Sequence, residues 1–252
     1  MAKTCQPDRL LQSTLSFIFL AAALVLQTVM IPFSGLASAA DTVDILGTIT
    51  LYDKDGKPKD NLEGVVVFVD AMENPGKAVV PQNSPEMIIT REKFFPIVLP
   101  VVVGSTVSFP NNDAVPHDIF LVSANKNYDL GLYGPGDRKS VVLDQTGLVN
   151  AYCNTSPKFY GYILVLANNY FTTTDFAGIF EIRNVPYGKA VIRTWHAEGR
   201  VYPEMEVIID ADGVKDAVTG NVLDTISFNV VETPVSTEHN NKFNQPYSTP
   251  PI

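Results

Sequence analysis

The sequence predicts an all-β protein built from two packed β-sandwiches. Three observations carry that expectation. Short runs rich in Val, Ile, Phe and Tyr recur along the chain, 16 Gly and 18 Pro punctuate them, and no segment beyond residue 40 keeps a long 3.6-residue period. A chain of 252 residues, 46% hydrophobic and 18% charged, has the apolar material for one large or two ordinary domains.

The first segment carries Lys3 and Arg9, an apolar stretch over residues 15–33, and Ala37-Ser38-Ala39. A basic start, an apolar run and an A-x-A site form the pattern of a secretory signal peptide over residues 1–39. This places the mature start near Ala40 or Asp41 and the protein in the periplasm or outside the cell. The alternative is an uncleaved N-terminal helix that anchors the protein to the membrane, because the apolar run approaches the roughly 20 residues of a spanning helix. Cleavage would remove Cys5 and leave Cys153 as the single cysteine. A lone cysteine is unusual in an oxidising compartment.

From Asp41 onward, strands alternate with turns. Residues 45–51 and 64–70 read as strands around Asp53-Lys54-Asp55-Gly56-Lys57-Pro58, where Asp-Gly signals a hairpin or tight turn. Val65 to Val69 form a continuous apolar run. Residues 71–84, with Asn74-Pro75-Gly76 and Pro81-Gln82-Asn83-Ser84, read as a linker. A second β-rich block spans 86–167, including residues 97–103, Thr106-Val107-Ser108-Phe109, 141–143 and 162–166. A third begins at Phe171 and contains Asp175 with Gly178, then Pro186-Tyr187-Gly188, and strands at 180–182, 191–195, 206–210 and 225–231. The tail, 233–252, is rich in Pro, Asn, Ser and Thr without a period and reads as disordered.

The chemistry-bearing residues cluster in the middle block. Asn111-Asn112-Asp113 leads to His117-Asp118-Ile119-Phe120, and later Asn150-Ala151-Tyr152-Cys153-Asn154-Thr155-Ser156-Pro157-Lys158-Phe159 precedes a strand. Residues 85–168 resemble the cupredoxins, the plastocyanin and azurin superfamily. They are most similar to exported bacterial cupredoxin-like proteins labelled methylamine-utilisation proteins. That resemblance implies a Greek-key β-sandwich and a type 1 copper site of two imidazoles, a thiolate and an axial thioether. His117 matches the first imidazole and Cys153 the thiolate. The positions three and six residues after the cysteine, where the family has its second His and its Met, hold Ser156 and Phe159. The reading is therefore a degenerate site: Cys153 is a buried hydrophobe and Phe159 fills the Met volume. The alternative keeps copper at His117 and Cys153. His196, after Trp195, offers a replacement imidazole, although the narrower family has Trp-His there beside a complete copper loop, which implies a structural role. His239 lies in the polar tail, where a solvated side chain is expected.

The flanks resemble a transthyretin-like module, the carboxypeptidase regulatory domain. Its opening strands match residues 47–69, while its Thr-Thr-Asp-x-x-Gly and Pro-x-Gly turns match residues 173–188. The implied arrangement is a discontinuous sandwich of residues 43–72 and 169–232 with the cupredoxin-like domain, 85–168, inserted between its halves. The competing arrangement is an extended cupredoxin with a small C-terminal β-appendage.

Other chemistry is thin. There is no Gly-x-Ser-x-Gly elbow, Walker loop or His-Glu-x-x-His, and Asp113, Asp118, Asp129, Asp175, Asp210 and Asp212 fall in or beside turns. Asp210-Ala211-Asp212-Gly213 lacks the later acidic ligands of a calcium loop. Tyr128, Tyr133, Tyr152, Tyr160 and Tyr162 form either an aromatic ligand face or core. Eighteen Lys+Arg against 27 Asp+Glu, a formal charge of −9, argue against a nucleic-acid partner. The function expected is an exported, non-catalytic binding or assembly protein with a protein partner in the periplasm or at the membrane surface, and no cofactor. The alternative is a copper-binding or electron-transfer cupredoxin with an altered ligand set.

Overall fold

The computed structural model describes residues 41–199, 202–232 and 239–246, so the expected leader lies outside the described residues. The regular structure described is all strand. In chain order the strands are β1 (Thr42–Tyr52), β2 (Val66–Asp70), β3 (Ile88–Thr90), β4 (Lys93–Phe95), β5 (Val98–Val102), β6 (Thr106–Pro110), β7 (His117–Ser123), β8 (Asn127–Tyr133) and β9 (Arg138–Val142). There follow β10 (Gly147–Cys153), β11 (Ser156–Leu166), β12 (Phe171–Thr173), β13 (Ile179–Pro186), β14 (Gly188–Trp195), β15 (Glu204–Asp210), β16 (Gly213–Asp216) and β17 (Ile226–Val231).

Strands from the two ends of the chain share sheets. The sheet β13-β1-β17 faces the sheet β12-β2-β14-β15-β16 across a core that includes Ile45, Ile49, Val67, Phe180, Ile192 and Val207. The middle of the chain builds the sheet β5-β11-β10-β7-β8, which faces the pairs β3–β4 and β6–β9. Met87, Phe94, Phe109, Ile119, Leu121, Cys153 and Phe159 pack between them.

The turn at Asp53 forms as expected, with Gly56 N–H donating to the Asp53 carbonyl at 3.0 Å. It does not make a hairpin of its flanking strands. β1 pairs with β13 and β17, whereas β2 pairs with β12 and β14 in the opposite sheet. The reason lies in burial. β1 alternates and has one covered face, but β2 is covered on both. Val65, Val67 and Val69 enter the first core. Val66 packs on the other face with Val98, Leu164, Leu166 and Trp195, which come from β5, β11 and β14. The unbroken Val65–Val69 run is what a strand covered on both faces requires.

The Asp175 turn also has its expected form. Ile179 N–H donates to the Asp175 carboxylate at 2.8 Å. Gly178 sits at φ +76°, where a Cβ would lie 2.3 Å from the Ile49 carbonyl oxygen, so only glycine fits there without a shift of backbone.

The disordered reading of the tail fails for residues 239–246, which pack on the outer face of β7 and β10. The polar composition hid three specific contacts, made by His239 and Lys242.

Candidate functional site

The site is assembled by the loop between β6 and β7. Asn111, fully buried, donates from Nδ2 to the Val115 carbonyl at 3.0 Å and accepts the Asp113 N–H at 3.0 Å. This Asx turn aims the Asp113 carboxylate at three donors. It accepts the N–H groups of Arg91 and Glu92, the latter at 2.9 Å, and meets His117 Nε2 at 3.0 Å. Burial would raise the Asp113 pKa, but the two amides and His117 outweigh it and hold the carboxyl below its ordinary value. An ionised carboxylate only accepts, so Nε2 carries the proton in the neutral imidazole and Nδ1 keeps its lone pair.

That lone pair faces the thiol. Cys153, at the end of β10, lies beside Ile119 of β7 with Sγ 3.6 Å from His117 Nδ1 and 3.0 Å from Thr155 Oγ1. Thiol, imidazole and carboxylate stand in the order of an activated nucleophile, but Cys153 is 0% and His117 3% exposed, so the sulfur is closed to solvent in this structure. The lid is Phe159, 1% exposed. Its ring centroid lies 5.1 Å from that of His117, edge-on, and 4.5 Å from that of Phe94.

Ser156 begins β11 and pairs with Cys153 across the hairpin, so Asn154 and Thr155 are the whole connection. A type 1 site needs two imidazoles and a thiolate in one plane. The residues present supply one imidazole nitrogen and one sulfur, and among the described residues no group of three or more His, Cys, Asp or Glu is placed to hold a metal. This donor set does not fit a type 1 copper.

The remaining candidates lie elsewhere. His196 is not part of this cluster: it follows β14, with Nδ1 3.8 Å from the Glu232 carboxylate that Lys59 approaches at 2.5 Å. It opens on a cleft of about 650 Å³ that Phe95, Tyr160 and Tyr162 also line. Burial lowers its pKa from 6.5, and Glu232 offsets this only in part. Protonation therefore favours the unfolded chain. The contribution to stability is intact above about pH 6.5 and is lost as pH falls toward the folded pKa. His196→Gln should flatten the drop in urea midpoint between about pH 7.5 and about pH 5; an unchanged drop would assign it to other groups.

Asp210 and Asp212 both bond Lys215 Nζ at 2.8 Å, so a lysine occupies the place considered for calcium. The tyrosines do not form one face. Tyr133 is buried and donates to the Phe109 carbonyl, Tyr128 donates to Asp144, and Tyr152 lies under His239. The reading of His239 as solvated is corrected by that stack. What the sequence did not reveal was Asp113 as partner of His117, and Asp118 and Asn154 as partners of Lys242. The Asn-x-Asp spacing before His117 was the available signal for the first.

No family model and no curated protein matches the chain. Among solved structures it is similar to a purple cupredoxin from Nitrosopumilus maritimus, at 27% identity over 33% of this chain and 100% of that one, with TM-score 0.30. A copper-containing nitrite reductase from Thermus scotoductus SA-01 matches at 25% identity over 37% of this chain and 24% of that one, with TM-score 0.33. A reduced amicyanin variant matches at 21% identity over 38% of this chain and 100% of that one, with TM-score 0.32. TM-scores of this size leave the fold to be read from this chain's own sheets and cores.

Proposed function

We propose that the protein is an exported, non-catalytic binding or assembly component whose middle sandwich is cupredoxin-like with a degenerate copper site, inserted in a transthyretin-like sandwich. The observation that carries this reading is the closure over His117 and Cys153. Phe159, six residues after Cys153 where the resembled family has its Met in sequence, packs its buried ring against His117, and a two-residue connection leaves no loop to bring in a second imidazole. A protein partner in the periplasm or at the membrane surface suits a fold with no accessible reactive group at this site.

The 3.6 Å approach of Nδ1 to Sγ favours one second reading, a copper-binding or electron-transfer cupredoxin with an altered ligand set. Spectroscopy separates the two. Adding Cu(II) to the purified protein should give no intense visible charge-transfer band, because that band depends on a copper–thiolate bond in a His₂Cys plane. A stable blue band that vanishes in Cys153→Ser and His117→Ala would overturn the first reading and establish the second.

A further inference from the structure

The period-2 alternation of strands puts different residues on the two faces of β7 and β10. His117, Ile119, Leu121 and Cys153 point into the core. On the other face Asp118, Phe120, Tyr152 and Asn154 meet residues 239–246. The His239 imidazole stacks on the Tyr152 ring, centroids 3.9 Å apart and planes at 23°, and lies edge-on to Phe120. Lys242 N–H donates to Asn154 Oδ1 at 3.0 Å. Lys242 Nζ reaches the Asp118 carboxylate at 3.0 Å and that of Asp129 at 3.2 Å. Burial alone would lower the Lys242 pKa, but its bonds to the two carboxylates outweigh that and raise it. The segment turns compactly around Asn241, whose Oδ1 accepts the N–H groups of Phe243 and Gln245, both at 3.0 Å.

This is a built contact. The Lys242 and Asp118 side chains are only 18% and 13% exposed, and Asn154 Nδ2 donates to Asp118 Oδ2 at 2.9 Å, which fixes the carboxylate to receive a cation. Phe120, Tyr128, Asp129 and Tyr152 line a groove of about 530 Å³ whose other wall is the segment itself. Without the segment, the face would present an aromatic surface beside two carboxylates in a fixed geometry.

We propose that this face is a peptide-recognition groove held in cis by the C-terminal segment, and that a protein partner enters it with a segment of the same chemistry. Such a segment carries a planar ring that stacks on Tyr152 and, three residues on, an ammonium group for Asp118 and Asp129. The tail then acts as a tethered competitor. Six residues of sequence separate Glu232 from His239, so the segment competes from within the same chain and not from solution. The partner part of this inference rests on the binding or assembly role proposed above, whereas the docking of the tail stands independently of it.

The test uses the full mature chain and its Lys242→Glu variant, with a fluorescein-labelled synthetic peptide of residues 233–252 as the probe. Lys242 lies outside every strand and is a member of none of the described core clusters. Chymotryptic cleavage after Phe243, followed by intact mass, should be at least about tenfold faster in Lys242→Glu, because one member of a shielded, hydrogen-bonded charge pair is lost. By anisotropy the probe should bind Lys242→Glu at least about tenfold more tightly than wild type, whose own tail competes. Equal cleavage rates would overturn the docking. Faster cleavage without binding of the probe would overturn the groove as a recognition surface. A wild-type dimer that Lys242→Glu dissolves would mean that tails are exchanged between copies, and the claim of a different partner would fall. Failure of the proposed binding or assembly role is detected separately, by the appearance of a stable blue band on adding Cu(II).

Discussion

Phe159→Ala should lower the unfolding free energy by about 3–5 kcal/mol, the usual cost of deleting a buried phenyl ring. The ring is 1% exposed and wedged between Phe94 and His117, and neither neighbour can collapse into the space freely. Phe94 is one partner of an edge contact with Phe109 at 6.3 Å, and His117 is tied to Asp113 through Nε2. Phe159→Met should cost less than about 1.5 kcal/mol, since a flexible thioether fills irregular apolar space. Urea unfolding of the three proteins reads the difference. A loss below about 1 kcal/mol for Phe159→Ala would mean that the ring is not the plug over the thiol and imidazole, and the closed-site reading would lose its main support.

The inward pair at this site was named through the resemblance to the cupredoxins and not through spacing alone. His117 after an Asn-x-Asp turn and Cys153 at a strand end come together because β7 and β10 are neighbours in one sheet. Asp113 was legible only as a turn residue, since the amides that it caps belong to Arg91 and Glu92, more than twenty positions away and without a motif. The strands rich in Val, Ile, Phe and Tyr between Gly and Pro were readable, whereas β8 and β16, which lack such runs, were not. Nor were the partners of the readable strands. An Asp-Gly turn specifies that the chain reverses, and only the double-sided burial of Val65–Val69 decides that β2 joins the sheet opposite β1. The tail shows the reverse limit. One ring and one ammonium group fasten residues 239–246, too few to leave a hydrophobic period in a polar segment.

Asp113→Ala should cost about 2–4 kcal/mol, and the reason lies in a turn far from its own loop in sequence. Thr90 and Lys93 pair at the head of a hairpin whose two central residues, Arg91 and Glu92, sit at φ +52° and +55°. A two-residue turn with both centres left-handed prefers Asn-Gly, and an ordinary side chain there carries a penalty of about 1–2 kcal/mol per residue. The Asp113 carboxylate offsets this by accepting both amides of the turn, and hydrogen bonds to a charged group contribute about 1.5–3 kcal/mol when well formed. Because the folded pKa of Asp113 lies below its ordinary value, this contribution is complete above the unfolded pKa of 3.8 and is lost as pH falls through the folded value. The gap between wild type and Asp113→Ala should therefore persist at neutral pH and close in acid. A second background isolates the cause. Arg91→Asn with Glu92→Gly supplies the residues that the turn prefers, so Asp113→Ala made in that background should cost at least about 1 kcal/mol less than in wild type. The remaining cost would report the bond to His117 Nε2. An equal cost in both backgrounds would show that the carboxylate supports the imidazole alone and leaves the turn to fold without it.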